Sequence, residues 1–385
     1  MMKKIFFLFI LLFYTPANSA EVSKKEWNKK FPNVSYPKDN CEKCSRAHAD
    51  WAYGWYRKAT LMNRDYKSNG GLKSLNFNKS KNPSKIKKNI NILPKNIFDF
   101  VNNRDIMSLM VYENGELIYD WKRDYVDNSK PINGESRSKS IVGVVIATLK
   151  CQNKIDLNKN HSFYTKELKD SYYGNVTVLQ SLNMMARDEY IVGYELNEIH
   201  RKKIDILTKA NKYRSDLESP GENKFRYHNI NTDLIMLDLF NILKGKKGFK
   251  KWFEKNIVEP AGFSNKSKLL LDKKGNGIGS SSFYLSREDW MRFGVYTMSL
   301  LNDPNKCEGK FLRDSFNKAP KTFKKFAPNY AMQFWLNGYG VKDLVQMRGH
   351  GLRLSLLDWK NNRIIQTNGF AISWKPQKLI DLIWN

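Results

Sequence analysis

The uncharged run Ile141-Val142-Gly143-Val144-Val145-Ile146-Ala147-Thr148-Leu149 follows directly on the polar stretch Gly134-Glu135-Ser136-Arg137-Ser138-Lys139-Ser140. A helix that is apolar all round has to be covered on every side, so the rest of the chain must build a core around this one. At its mouth Ser136 and Lys139, three apart, lie one above the other on a helical face, where backbone N–H groups have no partner within the helix. Partial positive charge there favours an alkoxide or a tetrahedral oxyanion, and the N–H of Ser136 supplies one oxyanion donor. Burial of Lys139 beside the apolar run, with other cations nearby, favours the neutral amine, the form that takes a hydroxyl proton. Spacing alone is unspecific, because Ser35/Lys38, Ser84/Lys87 and Ser315/Lys318 repeat it. Of these, Ser136 precedes the buried-looking helix; a plain N-cap in front of a core helix is the competing reading.

The 385 residues suffice for one catalytic unit with an insertion or for two domains. A formal charge of +28 would ordinarily suggest nucleic acid or an acidic surface. Lysines, however, are scattered through every segment among Asn and Ile, and outnumber the arginines that bind phosphate bidentately. Compositional bias accounts for the charge, with association with an anionic envelope surface as the second reading and no nucleic acid expected. Met1-Met2-Lys3-Lys4 and the apolar stretch Ile5–Tyr14 are too short to span a bilayer comfortably and read as a signal peptide over residues 1–20, with Ala17-Asn18-Ser19-Ala20 as the cleavage region. The mature chain is therefore expected in an exported, periplasmic compartment. There the four cysteines could form two disulfides. Cys41 and Cys44 suit a local bridge, a redox pair or reduced thiols, and Cys151 and Cys307 could pair with each other. His48, His161, His200 and His228 have no metal-ligand spacing, so no metal and no cofactor are expected.

Along the chain, residues 21–94 read as a polar N-terminal extension, with one denser helical island at Ala47–Tyr66 around Trp51, Trp55 and Met62. Ile106–Tyr112 and Leu117–Trp121, joined through Asn114-Gly115, form a hairpin signature, because Asn-Gly tolerates the positive φ values of a type I′ turn. Helical periodicity covers Val176–Met185, Asn197–Ala210, Thr232–Leu243 and Phe249–Ile257, and Ser286 is the N-cap of a further helix through Trp290, Phe293 and Tyr296. Met332–Leu336, Leu352–Trp359 and Arg363–Phe370 are strand-like, and Gln377–Trp384 makes a closing helix. The pattern predicts an α+β fold: an antiparallel sheet flanked by helices (95–150 and 280–385) bracketing an all-helical insertion (151–279), with a cleft between them.

Phe225-Arg226-Tyr227-His228-Asn229 stands roughly 90 residues after Ser136, and Arg348-Gly349-His350-Gly351 a further 120 or so on, the three-part layout of serine acyl-enzymes. Together with Val176–Met184, Glu259-Pro260-Ala261-Gly262-Phe263, Gly277-Ile278-Gly279-Ser280 and Asp289-Trp290-x-x-Phe293-Gly294, these motifs resemble the serine beta-lactamase-like superfamily. That group contains class C beta-lactamases, D-alanyl-D-alanine carboxypeptidases, family VIII-type esterases and 6-aminohexanoate-dimer hydrolases. Tyr330-Ala331-Met332-Gln333-Phe334-Trp335, and His350 where the third motif often has Lys, look most like the 6-aminohexanoate-dimer hydrolase and esterase branch. The chain departs from the pattern at Met185-Ala186-Arg187, where Thr-Ser-Gly is common, and at Leu352, where this branch often has a second glycine.

The resemblance implies two-step acyl transfer on a small amide or ester substrate. Ser136 would be the nucleophile, with Lys139 and Tyr227 moving its proton, Asn229 holding Lys139 or the substrate, and His350 orienting Tyr227 or the substrate. The oxyanion hole would combine the backbone N–H of Ser136 with that of Gly351, Leu352 or Arg353, and Arg353 or Arg348 could bind a substrate carboxylate. A catalytically silent binding protein of the same fold, for cell-wall peptides or an anionic polymer, is the rival; it is disfavoured because the polar motif residues are all present.

Overall fold

The Asn114-Gly115 turn forms as the sequence predicts. Strand β3 (Ile106–Glu113) folds back antiparallel on β4 (Glu116–Lys122), with φ of 48° and 95° at the two turn residues. The computed structural model describes residues 72–102, 106–123, 126–186, 199, 204–212, 225–369 and 376–384. The expected signal peptide, the Ala47–Tyr66 island, the Cys41/Cys44 pair and the first part of the Asn197–Ala210 helix lie outside the described residues.

The hairpin is part of an eight-stranded sheet, five of whose strands come from the far end of the chain. Strands β2 (Lys87–Lys88), β8 (Asn329–Ala331), β9 (Phe334–Leu336), β10 (Val345–Gly349), β11 (Arg353–Asp358) and β12 (Arg363–Gly369) complete the order β2-β4-β3-β12-β11-β10-β9-β8. All neighbours are antiparallel except the two-residue edge strand β2, which runs parallel to β4. Pairing of β3 with β12 closes the sheet across the whole intervening sequence, so the segment between is necessarily bracketed.

A second sheet has the order β1-β6-β7-β5, formed by β1 (Ser74–Phe77), β5 (Ile132–Asn133), β6 (Ser267–Leu270) and β7 (Phe283–Leu285). It corrects two expectations. The folded body starts upstream of the boundary expected at residue 95: Phe77 is buried with its ring 4.5 Å from that of Phe253, and Ser80 donates to the Glu259 carboxylate at 2.7 Å. The 151–279 segment is not all-helical either, since β6 lies inside it. β1 alternates as Ser-Leu-Asn-Phe over four residues, too few to stand out in sequence, and β6, Ser-Lys-Leu-Leu, is buried on both faces and does not alternate.

Around the sheets lie α1 (Lys95–Asn102), α2 (Ser138–Cys151), α3 (Val178–Leu182), α4 (Ile206–Asn211), α5 (Asn229–Ile242), α6 (Gly245–Phe253), α7 (Arg287–Asn302), α8 (Cys307–Asn317) and α9 (Pro376–Trp384). Ser286 caps α7 through Asp289 N–H, as expected. In α2 every residue from Ser138 to Leu149 is buried, as a run apolar on all faces requires. Each large aliphatic side chain there contributes roughly 1.5–3 kcal/mol relative to exposure.

The last residue of α2, Cys151, is disulfide-bonded to Cys307, the first of α8, closing a loop with a sequence separation of 156. Replacing both cysteines by serine is expected to lower the unfolding free energy by about 2–4 kcal/mol. Urea denaturation of the two proteins under non-reducing conditions checks this, and coincident midpoints would show the crosslink to be dispensable.

Candidate active site

Residues Glu135–Arg137 form one 3-10 turn that runs directly into α2. Glu135 has φ of 50°, sparsely populated for a residue with a Cβ, and its N–H is held by Asn133 Oδ1 at 2.8 Å. The turn is clamped from two sides. A Cβ on Gly134 would stand 2.3 Å from the Trp290 ring, and one on Gly349, at the end of β10, 2.2 Å from Gly134 O. Glycine at both positions lets backbone and indole approach the Ser136 turn directly.

Lys139 sits beneath Ser136 and is 1% exposed. Its Nζ lies 3.0 Å from Ser136 Oγ, 2.7 Å from Asn229 Oδ1 and 2.7 Å from Ser280 O. Asn229 is the first residue of α5, and His228 before it takes the extended N-cap conformation, leaving the Asn229 amide free to turn toward Lys139. Ser280 is fixed by Asp233 on the same helix, whose carboxylate accepts from Ser280 N–H at 2.9 Å and Oγ at 3.0 Å. Thus one helix end supplies one partner of Lys139 and, four residues on, the anchor of another.

Tyr227 is placed by aromatic packing. Its ring lies 4.9 Å from Lys139 Nζ, stacks on Trp335 at 4.9 Å and meets Tyr330 edge-on at 5.7 Å. Burial pushes the Tyr330 phenol well above the usual tyrosine range, with the neighbouring Tyr227 adding to the shift. Tyr330 and Trp335 flank Gln333, whose amide joins the surrounding elements. Gln333 Nε2 donates to the carbonyls of Ser181 and Leu182, its Oε1 accepts from Thr232 on α5 at 2.7 Å, and its backbone carbonyl accepts from Ser140 on α2.

Comparison with known proteins places this arrangement. No family model and no curated protein matches the chain. Among solved structures, a Bacillus anthracis protein assigned as a 6-aminohexanoate-dimer hydrolase superposes with a TM-score of 0.65 at 18% identity, covering 91% of this chain and 97% of its own. A family VIII carboxylesterase gives 0.58 at 14% identity over 75% and 95% of the two chains. A class C beta-lactamase in complex with cefoxitin gives 0.52 at 12% identity over 73% and 93%. The chain has the fold of these beta-lactamase-like structures.

Within this beta-lactamase-like fold, the structure gathers Ser136, Lys139, Tyr227 and Asn229 from distant parts of the sequence. His350 lies at the exposed tip of the β10–β11 turn, one residue beyond the Gly349 contact, and Trp335 and Tyr330 pack against the Tyr227 ring. Leu352, with φ of 54°, closes the same turn, and Arg353 pairs with Gly349. Arg353 as a substrate-binding side chain is corrected. It is fully buried, with Nη1 donating to Asn133 O at 2.5 Å and Nε to Gly369 O, because its alternation on β11 points it under the nucleophile turn.

Sequence reasoning missed the Ser280 carbonyl, Asp233 and Gln333. A backbone acceptor leaves no side-chain signal, whereas an Asp and a Gln in apolar surroundings are legible as buried polar groups. Replacing Gly349 by Ala is expected to push the Ser136 turn aside and slow acylation at Ser136 by about 100-fold, the scale of an ångström-level misplacement. Labelling rates with a fluorophosphonate probe measure this; a rate matching the parent protein would mean that the turn is not held by this contact.

Proposed function

We propose that the chain is a serine hydrolase that cleaves an amide or ester bond through an acyl-enzyme on Ser136. The observation that carries this reading is the coordination of Lys139. Asn229 Oδ1, as oriented here, and Ser280 O can only accept, so two of the amine's N–H bonds are committed to them. The remaining tetrahedral position faces Ser136 Oγ at 3.0 Å. In the neutral amine that position is a lone pair, ready for the hydroxyl proton; in the ammonium it is a third N–H, and all three partners are kept.

Ser136 Oγ then forms a bond to the scissile carbonyl carbon as its proton passes to Lys139. The backbone N–H groups of Ser136 and of the Leu352-Arg353 turn receive the oxyanion. The proton moves through the Tyr227 phenol, beside Lys139, to the departing nitrogen or oxygen as the C–N or C–O bond breaks. Water reverses the path to release the acid and restore Ser136. His350 borders the substrate side of the site. Likeness of fold to an assigned 6-aminohexanoate-dimer hydrolase and to a carboxylesterase supports linear amides and esters as the substrate class. Export through the N-terminal signal segment belongs to the same reading.

A fluorophosphonate probe is expected to add to Ser136, and Ser136→Ala to lose the adduct in intact-mass analysis; an undiminished adduct in that variant would reassign the nucleophile. Lys139→Ala and Tyr227→Phe should each reduce turnover by roughly 100-fold or more, with the double variant far less than multiplicative because the two move one proton. Fully multiplicative losses would separate their roles.

With His350 in place of a fixed cation, p-nitrophenyl butyrate and a linear amide dimer are expected to turn over faster than nitrocefin. The reverse order would move the chain to the lactam-hydrolysing branch while leaving the Ser136 mechanism intact.

A further inference from the structure

Between α8 and β8 the chain runs through a loop, residues 318–328, that contains four lysines and two phenylalanines. No Asp or Glu occurs from residue 315 to residue 342. Lys321, Lys324 and Lys325 are exposed and pair with no carboxylate among the described residues. The two phenylalanines differ sharply in surroundings. Phe326 packs 5.2 Å from Trp335 and lies under the Arg348 guanidinium at 4.1 Å. Phe323, three residues earlier, is 82% exposed and meets no ring or cation among the described residues. Phe163, also strongly exposed, has such partners: it rests against Tyr164 and under Lys159.

The exposure of Phe323 is built into the backbone. Thr322 N–H donates to Pro328 O at 2.7 Å, Thr322 Oγ1 donates to Ala327 O, Lys324 N–H donates to Thr322 Oγ1 at 3.1 Å, and Ala327 N–H donates to Lys324 O at 3.0 Å. The base is tied to the sheet as well. Tyr330 N–H donates to Pro320 O at 3.1 Å, and Phe326 O accepts from Gln346 Nε2 at 3.0 Å. A Cβ on Gly338, at φ of 104°, would stand 2.0 Å from that same carbonyl, so glycine there lets the loop seat against the strand end. A closed and anchored turn thus holds one apolar ring in water among three unpaired ammonium groups.

That combination fits an anionic lipid surface better than a protein or a soluble anion. Lysine is depleted at protein–protein interfaces, and a lone ring offers no apolar core for one. A soluble anion would use the lysines and leave the ring idle. At a bilayer both parts act: the ring enters the region between headgroups and acyl chains, and the lysines reach lipid phosphates as point charges.

We propose that this loop docks the protein on an anionic bilayer surface, with Phe323 inserted and Lys321, Lys324 and Lys325 at the headgroup phosphates. Phe326 and Ala327 share one apolar cluster with Phe225, Tyr330 and Tyr227, so docking sets the Tyr227 end of the candidate site beside the membrane. Docking is read without turnover and stands or falls apart from the hydrolase reading.

The test is co-sedimentation of the full chain with vesicles of equimolar phosphatidylglycerol and phosphatidylcholine at near-physiological ionic strength, each variant first matched to the parent by circular dichroism. Replacing Lys321, Lys324 and Lys325 together by Gln is expected to lower partitioning about a hundredfold, at about fivefold per lysine. Phe323→Ser should lower it about tenfold, and Phe323→Leu should stay near the parent. Replacing Lys246, Lys247 and Lys251 on the exposed face of α6 by Gln removes the same charge elsewhere and should cost less than about tenfold. Equal partitioning of the parent and Phe323→Ser overturns the insertion of this ring. Equal losses in the two lysine triples would trace binding to the overall charge and overturn the loop assignment, as would binding to phosphatidylcholine vesicles that matches binding to the anionic ones.

Discussion

Everything at the candidate site depends on one buried amine. Lys139 is held in the core by acceptors from three separate segments: the nucleophile turn, the start of α5 and the loop carrying Ser280. A buried lysine without such partners would cost several kcal/mol in desolvation, so their joint presence is what makes the position tolerable. The same three partners fix where its amine points. Architecture and chemistry meet here, since α5 can supply Asn229 and, through Asp233, position Ser280 only if it packs against α2. That packing is driven by the apolar faces of both helices, which join in one core.

The residues on either side of Ser136 hold the turn that carries it. Before it, Glu135 is in the left-handed region; after it, Arg137 turns inward, fully buried, with its guanidinium 3.9 Å over Trp290 and Nη2 donating to Asn368 Oδ1 at 2.8 Å. Burial, and then the neighbouring Arg353, push the Arg137 guanidinium well below the usual arginine range, so this anchor works against desolvation and like charge. Burial lowers Arg353 as well, and the nearby Glu135 carboxylate at 3.8 Å partly offsets it. Two arginines in the core are thus the scaffold of the turn. Their rigidity comes from planar stacking and directed bonds to carbonyl and amide oxygens.

How much of this was legible in the sequence follows from the range of the signals. The Asn114-Gly115 hairpin, the α2 run and the Ser286 cap are local, encoded within a few residues, and the structure has them where expected. The Ser136–Lys139 contact is likewise local, one helical turn. By contrast, β1 and β6 pair with each other across almost two hundred residues, the alternation of β1 being four residues long and β6 having none. Arg353 misled for the same reason. Its type and its place in the third motif suggested a substrate contact, but which face of β11 it occupies is set by register against β10 and β12, a property of the assembled sheet. Tyr227 was singled out from its motif, whereas Trp335 and Tyr330 were noted in the Tyr330–Trp335 motif without their packing on Tyr227, which the assembled fold sets.

A second serine in the fold shows why geometry by itself does not define a nucleophile. In the helical part, His161 Nε2 lies 2.7 Å from Ser181 Oγ and its Nδ1 2.5 Å from Asp238 Oδ2, with Thr165 Oγ1 donating to the other carboxylate oxygen at 2.8 Å. Serine, imidazole and carboxylate are in the order of a hydrolytic triad. All of these side chains are nevertheless buried: Ser181, His161 and Asp238 are each 0% exposed, and burial pushes the Asp238 carboxyl up against the lowering effect of His161 and Thr165. Ser181 also sits inside the short α3, without the left-handed residue and glycine contacts that lift Ser136 out of the chain. What this cluster does is structural. It joins the loop at His161 to α3 and α5, and the Ser181 carbonyl next to it receives Gln333 from the segment that carries Tyr330 and Trp335. The half-exposed Ser136 differs from Ser181 in access to a substrate and in the turn that presents it. Those two properties, rather than the presence of a base within hydrogen-bond reach, are what separate the two serines in this structure.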